Sequence, residues 1–277
     1  MNSLTRISSK LQRQVNIILA IAEFDRQRKA SGSPIGSWES LVQPLQLMLF
    51  FILMRVGFSF LKGSNRFAAG GTTDMYFNIV IFMSTGFCIV FLFRNVALKA
   101  LMGLKLRTPL YFSRVTPLDT LLGLSLNDVR ALATLSLGIF AITWYFTWDF
   151  RLDSPGLAVV TYLLTVLMAI GFGLCVVFLG KLNKMVVKII RRVMQRVIIF
   201  TSGIFFATFE IPAPARPFIT WNPILHGVEL FRHAMNNSYP IPDISLSYLA
   251  TCSIVTCAFS LILYRTNESL LLEANDD

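Results

Sequence analysis

The chain has 277 residues, 55% of them hydrophobic and 24 of them Phe, with a formal net charge of +10. Only 14% of residues are charged, and several apolar runs approach the ~20 residues that a transmembrane helix needs, which excludes an ordinary soluble domain. The basic excess is better assigned to loops held on the cytoplasmic side of a membrane than to a nucleic-acid partner.

In chain order, Arg6, Lys10 and Arg13 precede "VNIILAIA", and the charged stretch "EFDRQRK" comes next. The apolar core is barely eight residues and runs directly into those charges, unlike a secretory signal, and Leu11, Val15, Ile18, Leu19 and Ala22 recur at helical spacing. This predicts an amphipathic helix at the membrane surface within residues 1–40. Residues 41–277 then form one membrane domain.

Beyond it lie six apolar segments, roughly 41–61, 75–93, 131–148, 156–179, 197–209 and 246–264. They predict an all-α polytopic protein with six transmembrane helices, the fifth of them short. With both termini cytoplasmic, nineteen Lys and Arg fall in inside segments and five outside. That bias favours this topology over its inverse. Arg55 is left within the first span, where it either snorkels to the headgroups or faces a wet path.

Segment 94–130 is basic yet carries Tyr111, Phe112, Val115 and Leu118, a composition suited to docking on a cytosolic partner. The stretch "WYFTW" puts Trp144 and Trp148 at the outer interface, as an aromatic belt or as a platform for sugar rings. Segment 181–197 sets Met185, Ile189 and Val193 opposite Lys184, Lys188 and Arg192, which equally fits a helix on lipid headgroups.

After the fifth segment comes "FEIPAPARPFITWNP", with Pro212, Pro214, Pro217 and Pro223. Prolines break helices, so the chain is expected to stop after Phe209, turn and restart. Asn222 suits a helix cap and Pro223 a first helical position. Two readings stand for the stretch up to residue 237. It is an extracellular loop helix, or it belongs to a pair of short helices dipping into the outer leaflet, with Glu229 and Arg232 paired three residues apart. In the second case, removing Glu229 alone should cost more than removing both partners.

Catalytic motifs are missing from the sequence. Gly180-Lys181 is followed by Leu182, so no phosphate-binding loop is formed. His226 and His233 stand seven apart without an H-E-x-x-H, and Cys88, Cys175, Cys252 and Cys257 make no C-x-x-C pair. No enzyme, metal site or cofactor is indicated. Energy for any work must arrive from a partner or an ion gradient.

Three stretches then carry a resemblance that covers nearly the whole chain. They are "GSPIGSWESLVQPLQLMLFF" (32–51), "RVTPLDTLLGLSL" (114–126) and "SGIFFATFEIPAPARPFITWNPILHGVELFR" (202–232). Together they resemble the permease of ABC-2-type polysaccharide exporters, particularly the capsular polysaccharide group. Glu210 departs from the aromatic residue or Leu that the family often has at this turn.

The resemblance implies the transmembrane subunit of an exporter for lipid-linked capsular polysaccharide in the bacterial inner membrane. It further implies a homodimer and a pair of cytosolic P-loop ATPase subunits that bind ATP and Mg. Periplasmic and outer-membrane export proteins and membrane lipid are further partners that the resemblance implies. Val115, Thr116, Pro117, Leu118 and Asp119 would lie at the coupling contact with the ATPase. Arg55, Trp144, Trp148, Phe205 and Phe206 would line the substrate path. Pro212, Pro214, Asn222, Pro223, His226, Glu229 and Arg232 would belong to an outer gate. Export of O-antigen, teichoic acid or a lipo-oligosaccharide stays open beside this reading, as does a non-transport membrane scaffold.

Overall fold

The computed structural model describes residues 2–32, 39–61, 75–103, 115–147 and 152–266. Nine α-helices occur among the described residues: α1 Asn2–Gly32, α2 Glu39–Leu61, α3 Ile79–Gly103, α4 Pro117–Thr147, α5 Pro155–Leu182, α6 Lys184–Thr201, α7 Pro217–Thr220, α8 Pro223–Met235 and α9 Leu246–Thr266. Two 3-10 turns, Thr208–Glu210 and Ala213–Ala215, lie between α6 and α7.

Among the described residues, four helical stretches are long and apolar enough to cross a membrane: Ile79–Lys99, Leu118–Tyr145, Pro155–Leu179 and Leu246–Thr266. Within α2 the described apolar stretch is Leu45–Met54. The protein is polytopic and helical, as its apolar runs indicate.

Helix α3 is the axis of the bundle. It packs against α2, α4, α5, α6 and α8, while α9 packs along α5 and α1 along α4. Its residues Phe82, Phe87, Ile89, Val90, Phe91, Leu92 and Val96 are all buried. An α-helix satisfies its own backbone, so such an element can sit in an apolar interior at no polar cost. The outward faces of α5 and α9 instead expose Val159, Leu163, Val255 and Phe259, as lipid-facing surfaces do.

The bundle has two distinct ends. Helix α1 marks one. It packs on the first half of α4, where the Asn127 side-chain amide donates to the Ala22 carbonyl at 2.6 Å and to Asp25 Oδ2 at 3.1 Å. Val15, Leu19 and Phe24 stay exposed on α1. Helix α8 and the starts of α3, α5 and α9 form the other end.

Two expectations need correction. The segment 94–130 is mostly helical: α3 continues to Gly103 and α4 already begins at Pro117. The fifth apolar run, 197–209, is not one helix. Helix α6 starts at Lys184, directly after Asn183, and ends at Thr201. The physical reason is local. Asn183 accepts the Met185 N–H at 2.8 Å and starts a new helix. Gly203 then takes a φ of 76°, a left-handed conformation that ends helices.

Candidate functional site

The site of interest is α8 and the broken segment before it. The Asn222 side chain accepts the Ile224 N–H at 3.0 Å, and Pro223 fills the first helical position. Asn222 also donates to the Thr201 carbonyl at 3.2 Å, fixing the start of α8 to the end of α6. One side chain thus caps one helix and meets an orphan carbonyl of another.

His226 makes a second tie. Its Nδ1 accepts the Ser245 N–H at 3.0 Å, which leaves Nε2 to donate to the Thr220 carbonyl at 2.7 Å. A neutral ring protonated at Nε2 satisfies both. It links the end of α7 to the start of α9 and packs against Tyr248.

Arg232 is the centre of the site. Its side chain and that of Glu229 are 0% exposed, and Arg232 Nη1 meets Glu229 Oε1 at 2.9 Å. Nη1 also donates to the Phe206 carbonyl at 3.3 Å. Nη2 donates to the carbonyls of Phe82 at 3.0 Å and Ile204 at 3.2 Å, and Nε reaches Thr85 Oγ1 at 3.4 Å. All five N–H donors of the guanidinium are placed. Its plane also lies over the Phe82 ring, 3.6 Å from the centroid.

The carbonyls of Ile204 and Phe206 belong to backbone that has left α6 and has no helical partner. In an apolar interior each unpaired carbonyl is costly. Arg232 therefore serves as the hydrogen-bonding substitute that lets the fifth element break inside the protein. Gly86 on α3 makes room, because a Cβ there would come within 3.0 Å of Ile204 Cα and 3.1 Å of Arg232 Nη2. Around the same carboxylate, Glu229 Oε2, Thr208 Oγ1 and the Tyr239 hydroxyl are buried without a hydrogen bond of ordinary geometry.

Helix α8 is buried on nearly every side, including Ile224, Val228, Glu229 and Arg232. This removes the reading of an exposed extracellular loop helix. Residues 153 and 154 tie its far end. The Ser154 N–H donates to the Ala234 carbonyl at 2.9 Å, and Ser154 Oγ donates to Asn237 Oδ1 at 2.9 Å.

The other sequence-derived residues are scattered. Pro212 and Pro214 sit exposed in the turn before α7. Arg216 fastens that turn, donating from Nε to the Ile211 carbonyl at 2.9 Å and facing Asp243 at 3.7 Å. Phe205 joins a ring cluster with Phe51, Phe87 and Phe200, whereas Phe206 contributes its carbonyl to Arg232. Trp144 is about half exposed on α4. Arg55 lies on α2, but its side chain, like all of Trp148, is outside the described residues.

At the opposite end, Thr116 and Asp119 form a reciprocal cap. Asp119 Oδ2 accepts the Thr116 N–H at 3.0 Å and hydroxyl at 2.8 Å, while the Asp119 N–H donates to Thr116 Oγ1 at 3.3 Å. Pro117 begins the helix, Gln14 of α1 donates to Asp119, and Leu118 packs beside Leu121, Leu174 and Tyr264. Val115 and Thr116 are half-buried at the tip.

Comparison with known proteins adds family information. A family model for ABC-2 type transporters matches residues 18–236. The polysialic acid transport protein KpsM of Escherichia coli is 28% identical over 193 residues, 69% of this chain and 74% of KpsM. The capsule polysaccharide export inner-membrane protein BexB of Haemophilus influenzae is 25% identical over 263 residues, 94% of this chain and 89% of BexB. The capsule polysaccharide export inner-membrane protein CtrC of Neisseria meningitidis serogroup B is 25% identical over 228 residues, 82% of each chain.

Proposed function

The chain belongs to the ABC-2 type transporter family, and from that premise we propose that it is the permease subunit of a capsular polysaccharide exporter in the bacterial inner membrane. The observation that carries this reading is the alignment with BexB over 94% of the chain, through both α1 and α8. A permease of this kind works with ATPase subunits, and the proposal pairs it with two cytosolic P-loop ATPases that hold ATP and Mg.

In this reading α2 and α6 complete six crossings, α1 lies along the inner surface, and both termini are cytoplasmic. The end of the bundle that carries α8 is then periplasmic. Two copies of the chain enclose the path, with Arg55, Trp144, Trp148, Phe205 and Phe206 along it. The helix α8 and the broken segment 202–207 act as the outer gate, held shut by Asn222, His226 and the Glu229–Arg232 pair, with Pro212, Pro214 and Pro223 setting the turns. Closure of the ATPases is transmitted through Val115–Asp119. The cargo is a lipid-anchored glycan, handed on to periplasmic and outer-membrane export proteins.

The division of the chain into an interface segment 1–40 and a membrane domain 41–277 belongs to the same reading. The test is complementation. The full chain is expressed together with a capsule-exporter ATPase subunit in a strain lacking its capsule-export permease. Capsular glycan at the cell surface is the expected result. A folded, inserted complex that leaves the glycan inside, or that exports O-antigen in its place, would remove the reading.

A further inference from the structure

The loop after α8 reads "NNSYPIPDIS", residues 236–245, and its aromatic residue is wholly buried: Tyr239 is 1% exposed. Connecting segments ordinarily run over the surface. The backbone of Tyr239 is fastened to α8 and its cap. Its N–H donates to the Asn236 carbonyl at 2.9 Å, and its carbonyl accepts the His233 Nδ1–H at 2.9 Å. Pro240 and Pro242 follow, each with a fixed φ, so the loop has little freedom beyond this point.

The ring enters a socket that other elements make. Its centroid lies 5.8 Å from Tyr76 and 5.3 Å from Phe77, in the lead-in to α3, and 5.3 Å from Phe209 in the 3-10 turn. The contacts with Tyr76 and Phe209 are edge-to-face, at 86° and 76°, so a positive ring edge meets a negative face. Asn236 supports the same junction, donating from Nδ2 to the Tyr76 carbonyl at 3.2 Å. Tyr239 is therefore held by α8 at its backbone while its ring packs on the lead-in to α3 and on the broken segment.

The hydroxyl end carries the information. It faces the Glu229 carboxylate, to which Thr208 also presents its backbone N–H. Tyr239 Oη and Glu229 Oε2 are both buried, and neither has a partner of ordinary geometry elsewhere among the described residues. A phenol donates and a carboxylate accepts, so each group meets the need of the other. Left apart, both would carry a full desolvation cost. A residue serving only to fill the socket would be cheaper as Phe, because a buried hydroxyl costs free energy unless it is hydrogen-bonded.

We infer that Tyr239 is a positioning residue of the outer gate: its hydroxyl donates to Glu229 Oε2, and the ring so fixed latches α8 to the lead-in of α3. This rests on the export reading above. Arg232 ties α8 to α3 at Phe82 and Thr85, inside the helix, whereas Tyr239 ties it at Tyr76 and Phe77, before the helix begins. A charge-assisted hydrogen bond is stronger than an edge contact between rings. On opening, the ring leaves Tyr76 and Phe77 and stays with Glu229.

The experiment uses the full chain assembled with its ATPase in cell membranes, with the four native cysteines replaced and a single cysteine at Val228, a buried position on α8. Its rate of labelling by a membrane-impermeant maleimide in resting cells reports how often the gate opens. Tyr239→Phe keeps the ring and removes the hydroxyl. It should raise the rate about tenfold, the loss of one hydrogen bond to a charged group. Glu229→Gln should raise the rate too, and Tyr239→Phe in that background should then add little. Thermal unfolding in detergent verifies that each variant is folded.

Labelling of folded Tyr239→Phe at the rate of the parent chain would overturn the inference, since the ring alone would then hold the gate. A rise that persists in full in the Glu229→Gln background would overturn it too, because the hydroxyl would be serving another acceptor. Glycan export by the chain with Tyr239 and Glu229 intact is measured in the same cells. Its absence, with the coupling of the two residues present, would remove the export reading and reduce Tyr239 to a structural contact.

Discussion

Arg232 and Glu229 meet at 2.9 Å with both side chains wholly out of solvent, one helical turn apart on α8. The pair is unequal. Glu229 meets its one cation through Oε1, whereas Arg232 also holds three backbone carbonyls and a threonine hydroxyl from α3 and the broken segment.

That inequality sets the order of three variants. Glu229→Ala leaves a cation that keeps four other acceptors. Arg232→Ala leaves a buried carboxylate without its cation and strips the carbonyls of Phe82, Ile204 and Phe206. We expect Arg232→Ala to be the most damaging, by about 3–5 kcal/mol, the double variant intermediate and Glu229→Ala the mildest. Thermal unfolding in detergent gives the order. The expectation from sequence alone, with the double variant milder than Glu229→Ala, is thereby reversed, and a double variant more stable than Glu229→Ala would restore it.

Gly203 and Gly86 should be intolerant of a methyl group for different reasons. Gly203 has a φ of 76°, and a Cβ there would lie 2.4 Å from Leu225 Cδ1. Gly203→Ala should cost about 1–3 kcal/mol through backbone strain and crowding. Gly86→Ala should push α3 from Ile204 and loosen Arg232. Lower thermal midpoints for both are the expected outcome, with Gly57→Ala unchanged as a control, since its Cβ would meet nothing within 4 Å.

Asp119→Ala removes the acceptor for the Thr116 N–H and hydroxyl and for Gln14. The loss should be about 1–2 kcal/mol, that of a helix cap. Hydrogen exchange should rise in α1 and in the first turn of α4, and Asp119→Asn should recover part of the protection. Exchange confined to the first turn would show that α1 is held by Asn127 and its packing on α4 without Asp119.

Thiol accessibility tests the enclosure of α8. Cysteines placed at Ile224 and Val228 should resist a membrane-impermeant reagent in resting cells, because both positions are buried. One at Asn237, which is exposed, should react. Equal reaction at all three would mean that α8 is a solvated loop helix.

Much of this was legible in the sequence because it is local. The Asn-Pro start of α8, the three-residue spacing of Glu229 and Arg232, and the apolar runs of α3, α5 and α9 all depend on near neighbours in the chain. The break in the fifth element was placed too late, at Phe209. Hydropathy sees an apolar run through 197–209 but cannot see that Arg232, some 26 residues on, satisfies the Phe206 carbonyl. The partners Phe82 and Thr85 lie still farther away in sequence. The glycine at 203 was the available signal. At 116–119 the Thr-Pro-Leu-Asp stretch was read for coupling, while its spacing is also that of a helix cap.

The central claim is that α8 moves as a gate during export, and a reversible lock tests it most directly. Ser154 Oγ and Asn237 Oδ1 are 2.9 Å apart and join the start of α5 to the far end of α8. In a chain without its native cysteines, Ser154→Cys with Asn237→Cys can be oxidised across this contact, and glycan export is then monitored before and after reduction. The account predicts that export stops when the cross-link is complete and returns with reductant, while each single variant exports normally. Undiminished export through a fully cross-linked protein would contradict it.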